Sequence, residues 1–317
     1  MAHFRVGVVG AGRVGAVLAA ALRRAGHDVV AAAGESDASR RRAADLLPGV
    51  PLAKPSDVAR AVDLLLLTVP DDMLPNVVQV LADSGALHAG QVVVHTSGRH
   101  GLAVLAPAAA VGARVVALHP AMTFTGTAVD LTRLGGCVMG LTAGDAERAL
   151  AEGLVADLGG RPTWVPEEMR TLYHAGLAHG ANHLVTLVSE AMGLLAAAGV
   201  DDPSGTLRPL LDAALANALE HGDSALTGPI VRGDVQTVAA HLGDISANAP
   251  DTVPSYVAMA WATLDRVVTD GRLLPIRALR IAETLAAHDP AGGAHRARVE
   301  QLLARAPGRS RAAMEQA

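Results

Sequence analysis

The segment GAGRVG, residues 10–15, constrains this chain more than any other feature, because of what stands on either side of it. Phe4 to Val9 is a short, β-branched apolar run. Ala16 to Ala25 then continues with helical spacing to the stop signal Gly26. The order is strand, turn, helix. Gly10 permits a tight turn out of the strand, Gly12 lets backbone approach a diphosphate, and Gly15 allows the helix to lie close on the strand. Ala11, Arg13 and Val14 complete the loop, whose N–H groups at the helix N-terminus suit a phosphate. A ligand-free glycine turn is the alternative.

Further apolar runs predict strands at Val29 to Ala33, Asp63 to Val69, Gln91 to Thr96, Arg114 to Leu118, Cys137 to Leu141 and Pro162 to Val165. DLLLLTV is apolar on both faces, as a buried parallel strand should be. Strands alternating with helices predict an α/β, doubly wound Rossmann sheet. After Pro166 the segments are long, Ala- and Leu-rich and helically periodic: Glu167 to Ala198, Thr206 to His221, Asp234 to Leu242, Val253 to Asp270 and Pro275 to Ala287. The expected organisation is a dinucleotide-binding domain over 1–165, an all-α domain over 166–305 and a flexible tail over 306–317.

Composition narrows the function classes. Aromatic residues make up 2% of the chain and the net charge is −5, which argues against a nucleic-acid partner. Cys137 is the only cysteine, so no disulfide forms within the chain and a reducing compartment is expected. The N-terminus lacks an export signal and no apolar run reaches the ~18 residues of a membrane helix, so a cytoplasmic protein with no membrane partner is expected. Lys54 is the only lysine, which leaves lysine chemistry to that residue or to none.

In an open α/β sheet the ligand lies at the carboxyl ends of the strands. At the second strand end, Glu35 would accept from a free ribose 2′-hydroxyl and favour NAD. Ser36, Arg40 and Arg41 would hold a 2′-phosphate, and they tilt the expectation toward NADP. Beyond lie Val69 and Pro70, then His95, Thr96 and Ser97, then His119 and Thr123. Val69, Pro70, His95 and Thr96 are expected to touch the cofactor, and Ser97, His119 and Thr123 the substrate. YHAGLAHGANHL adds His174 and Asn182, ~80° apart around a helix and ~12 Å along it. With Ser97 and His119 they are the candidate catalytic set. TGPIVRGDVQTVAAHL offers Arg232 and His241 for an anionic substrate, with Asp234 as a helix cap.

GAGRVG, TVPDD, HTSG, LHPAMTF, YHAGLAHGANHL and TGPIVRGDVQTVAAHL, in this order, resemble a bacterial Rossmann-like family whose C-terminal part is a domain of unknown function 2520. That family is similar to pyrroline-carboxylate, deazaflavin-dependent NADP and ketopantoate reductases. The resemblance implies NAD(P) binding and a helical domain that forms a homodimer. Ketopantoate reductases and 3-hydroxyacid dehydrogenases place a catalytic lysine on the first helix of the second domain, and this chain has none there. His174 or His119 would have to donate the proton. The expected activity is hydride transfer between a nicotinamide cofactor and a small oxo acid or imine, possible ketopantoate reduction included. The competing expectation is a dinucleotide-binding regulator or scaffold without chemistry.

Overall fold

A computed structural model describes residues 3–289 and 292–305, so the expected tail lies outside the described residues. The chain divides into two compact units, Met1–Asn182 and His183–Ala317.

The first unit opens with β1 (Arg5–Val9), α1 (Arg13–Arg24), β2 (Asp28–Ala33), α2 (Asp37–Leu46) and α3 (Pro55–Arg60). β3 (Leu64–Leu67), α4 (Leu74–Asp83), β4 (Val92–His95), α5 (Ala106–Ala110) and β5 (Arg114–Pro120) follow. The unit's sheet closes with α6 (Val129–Arg133), β6 (Val138–Ala143), α7 (Arg148–Asp157) and β7 (Arg161–Trp164). The seven strands lie in the order β2-β1-β3-β4-β5-β6-β7. β1 to β5 are parallel; β6 runs antiparallel to β5, and β7 parallel to β6.

All seven strands fall where the sequence predicts them, and all but the exposed β7 coincide with apolar runs. The pleat explains why β3 has no polar face. Leu64 and Leu66 enter the core on one side of the sheet, with Leu18 and Leu22 of α1. Leu65 and Leu67 enter the other, with Val58 of α3 and Val78 of α4. Both faces of β3 are therefore almost wholly excluded from water.

The long α8 (Arg170–Ala197) begins in the first unit and ends in the second. The second unit continues with α9 (Pro203–His221), α10 (Pro229–Arg232), α11 (Val235–Asn248), α12 (Val253–Thr269), α13 (Pro275–Ala286) and α14 (Gly292–Arg305). Its core is aliphatic apart from Trp261: Val238 and Leu242 of α11 meet Leu264 of α12 and Ile281 and Leu285 of α13. Asp234 caps α11, accepting from the Thr237 N–H at 3.1 Å and hydroxyl at 2.7 Å. Those two bonds hold its carboxyl below the usual range. Among the described residues no helix is long and apolar enough to cross a membrane.

Candidate active site

The β1–α1 turn has the construction its glycines require. Gly10 has φ of 103°, and a Cβ there would come within 2.7 Å of the Thr68 carbonyl carbon. A Cβ on Gly15 would collide with Thr68 Oγ1 and the Gly10 carbonyl oxygen. The Thr68 hydroxyl donates to that oxygen at 2.6 Å, tying the β3 end to the turn. Gly12 differs: a Cβ on it would meet nothing nearer than 3.9 Å. Nothing inside the protein requires a glycine at this position. No side chain caps α1, so the N–H groups of its first turn are left for a ligand.

A cleft of about 850 Å³ runs from this turn along the end of β2. Gly10, Ala11 and Gly12 line it on one side and Val69 and Pro70 on another. Glu35, Ser36 and Arg40 also line it, as does Lys54, which the sequence analysis had not assigned to the cofactor. Ser36 is partly committed, since its hydroxyl accepts from the Ser39 N–H at 3.1 Å as the cap of α2. Arg40 sits 3.6 Å from Asp37. Arg13 is exposed, with its side chain against Gly126 of the β5–α6 loop. That loop is shaped by fully buried Asp130, which accepts from the N–H groups of Thr125 and Gly126 at 2.8 and 2.7 Å. Thr123 is exposed at its start.

His95, expected to touch a cofactor, has its side chain turned into the protein. Its ring is fully buried, donating from Nε2 to the Gly101 carbonyl at 2.8 Å and accepting the Ser97 N–H on Nδ1 at 3.1 Å. Both ring nitrogens are consumed in folding the 96–101 loop. Burial pushes its pKa down to about 4, so the ring stays neutral. Thr96 is half-buried, and Ser97 is buried with its hydroxyl accepting the His100 N–H at 3.1 Å.

Two residues that sequence reasoning missed hold this corner together. Arg170, at the start of α8, is fully buried and donates to the Ser97 carbonyl at 2.7 Å and the Thr142 hydroxyl at 3.0 Å. Its Nε has no partner, and among the described residues it forms no ion pair. Tyr173, one helical turn on, sets its hydroxyl 3.1 Å from Nδ1 of His119. The only signal was spacing: Arg170, Tyr173 and His174 share a helix face at i, i+3 and i+4.

His119 itself leaves the end of β5 and meets His174 edge-on, the ring centroids 5.7 Å apart. Both rings close on Gly98, where a Cβ would lie 2.5 Å from His174 Cδ2 and 3.0 Å from His119 Nε2. The His119 pKa falls to about 4, through burial first and then the charge of Arg170 and the neighbouring His174. Burial raises that of Tyr173. Opposite His119 across the antiparallel β5–β6 pair stands Gly140, whose missing side chain makes room for the Tyr173 ring. The structure thus brings His119, His174 and the Ser97–Gly98 backbone together. Asn182 lies farther along α8, exposed.

In the second unit, Arg232 is exposed at the end of α10. His241 bonds through Nδ1 to the Tyr256 hydroxyl at 2.9 Å, beside a cleft of about 580 Å³.

Comparison with known proteins gives two domain matches. Residues 1–120 match the Rossmann-like domain, and residues 137–263 the Domain of unknown function (DUF2520). No curated protein matches. Among solved structures, the “putative NADP oxidoreductase” BF3122 from Bacteroides fragilis is similar, at 20% identity and a TM-score of 0.71 over 82% of this chain and 98% of its own. Protein TM1727 from Thermotoga maritima gives 19%, 0.59, 83% and 98%. A reductive aminase from Aspergillus terreus, in complex with NADPH4, cyclohexanone and allyl amine, gives 19%, 0.58, 86% and 95%. At such identities the likeness is one of fold. The chain is thus similar to a Rossmann-like domain over residues 1–120 and to the domain of unknown function DUF2520 over residues 137–263.

Proposed function

We propose that this chain is an NAD(P)-dependent oxidoreductase acting on a small oxo acid or imine, with ketopantoate among the candidate substrates. One observation carries the reading: a glycine turn left open at Gly12 and a convergent His119–His174 pair at Gly98 stand at the carboxyl ends of strands of one sheet. A regulator needs the first and not the second.

Gly10 to Gly15 would hold the pyrophosphate, with Val69 and Pro70 lining the cleft toward the nicotinamide. A bound nicotinamide coenzyme supplies the hydride. The protein supplies the rest. His119, kept neutral, offers an N–H from Nε2 to a substrate oxygen or nitrogen while Tyr173 holds Nδ1. His174 is the proton donor, in the place where related reductases use lysine. Asn182 is a substrate contact on the same helix. Ser97 and His95 act by fixing the loop that carries Gly98.

The chain is also proposed to form a homodimer through α8 and α9. Val185 on α8 is 67% exposed and Leu219 on α9 is 81% exposed, with Leu184, Leu187, Leu210 and Leu215 also open to water. So much apolar helix surface is uncommon on a monomer.

The test is NADPH and NADH oxidation followed at 340 nm against a panel of oxo acids, ketopantoate first, and cyclic imines. Turnover of any member supports the assignment. Tight coenzyme binding with no turnover across the panel would replace it with the regulator.

A further inference from the structure

The proposal concerns the chain's only lysine and rests on the coenzyme-binding reading above. Segment 51–53 lies beside β2 as a short extra edge: the Ala32 N–H donates to the Pro51 carbonyl at 3.0 Å and the Ala53 N–H to the Ala32 carbonyl at 2.9 Å. The next residue, Lys54, is thereby set beside the carboxyl end of β2, the place where a Rossmann-type sheet meets the adenosine ribose. It lines the coenzyme cleft together with Ser36 and Arg40.

The Lys54 side chain does nothing for its own helix. It occupies the N-cap of α3, where an oxygen-bearing side chain is preferred, and it brings a positive charge to the positive end of a helix. Its backbone is fixed, because the carbonyl accepts from the Asp57 and Val58 N–H groups at 3.0 Å each. Its ammonium has no hydrogen bond or ion pair among the described residues. Nearby Asp57 is paired instead with Arg60 at 3.1 Å.

The other polar groups of that end are shared. Arg40 is drawn to Asp37, and the Ser36 hydroxyl caps α2. Glu35 lines the same end with a negative charge, leaving Lys54 to meet an anion there. Among the described residues that line this cleft end, Lys54 is therefore the cation without a side-chain partner. We propose that Lys54 is a specificity-determining residue that binds the ribose 2′-phosphate, making NADPH the preferred coenzyme.

The probes are 2′,5′-ADP and 5′-AMP, which differ only in that phosphate, with affinities measured by calorimetry on the full chain. Wild type should bind 2′,5′-ADP about tenfold or more tightly than 5′-AMP. Lys54→Gln should lose about tenfold for 2′,5′-ADP while 5′-AMP moves less than about twofold, and Lys54→Arg should restore the difference. Equal losses for both nucleotides, or none, would overturn the assignment of Lys54 and leave the coenzyme reading standing. Wild type that binds neither nucleotide, nor NADPH nor NADH, would overturn both. Circular dichroism of Lys54→Gln separates lost binding from lost folding.

Discussion

Tyr173 holds its hydroxyl 3.1 Å from Nδ1 of His119, and that ring turns its other nitrogen toward Gly98. The relationship leaves Nε2 of His119 on the Gly98 side and engages Nδ1 with the phenol. Because burial lifts the Tyr173 pKa, the phenol stays protonated and is the natural donor of the pair.

Removing that donor should affect the chemical step more than coenzyme affinity. Tyr173→Phe is expected to lower kcat about tenfold and His119→Asn about a hundredfold, with the KM for coenzyme within about twofold of wild type in both. Steady-state kinetics on the substrate found in the panel checks this. A Tyr173→Phe enzyme with unchanged kcat would remove the phenol from the mechanism.

The three fingerprint glycines should separate into two classes. Gly12→Val is expected to weaken NADPH binding by ~100-fold and leave the melting transition nearly unmoved, since its Cβ meets only open space in the protein. Gly15→Val should cost about 3 kcal/mol of stability or more, because its Cβ strikes the β1 turn and Thr68. Calorimetry and thermal melts on the two variants check this; Gly12→Val with unchanged NADPH affinity would mean that the turn is not a cradle.

Acid should destabilise the fold in a defined window. The unfolded chain binds a proton at His95 near 6.5, the folded chain only near 4, so between these values the unfolded state carries more protons and stability falls as pH falls. For fully buried His95 the loss is roughly 2 kcal/mol by pH 4.5, with His119 adding a smaller share because it is part-exposed. Urea midpoints at pH 7 and 4.5 measure it. His95→Gln should be less stable at pH 7 yet show a flatter acid slope.

Val185→Asp combined with Leu219→Asp should shift the protein from dimer to monomer in light scattering at micromolar concentration. A wild-type monomer at high concentration would instead leave those helix faces without an explanation.

The sheet was legible in the sequence because its signals are local. β3 announces itself as four consecutive leucines, and the turn as three glycines whose spacing has one economical structural meaning. The cap at Asp234 was legible for the same reason. What escaped were groups whose part depends on distant partners. Arg170 reads as an ordinary helix-start arginine until it is seen 2.7 Å from the carbonyl of Ser97, 73 residues away. His95 reads as a ligand contact because strand ends carry them; only the fold shows that both its nitrogens belong to the following loop. The reversal of β6 was equally hidden, since an apolar run says nothing about direction.

That reversal has a consequence for which substitutions the chain can tolerate. Turning β6 back against β5 is what brings Gly140 opposite His119, and a single methyl there would arrive 2.6 Å from the Tyr173 oxygen. A position deep in a strand, with no functional group of its own, is therefore bound to the fate of a phenol on another element. Gly140→Ala would injure the enzyme without touching anything that reacts, and an adjustment at residue 173 is where a compensating change would have to appear.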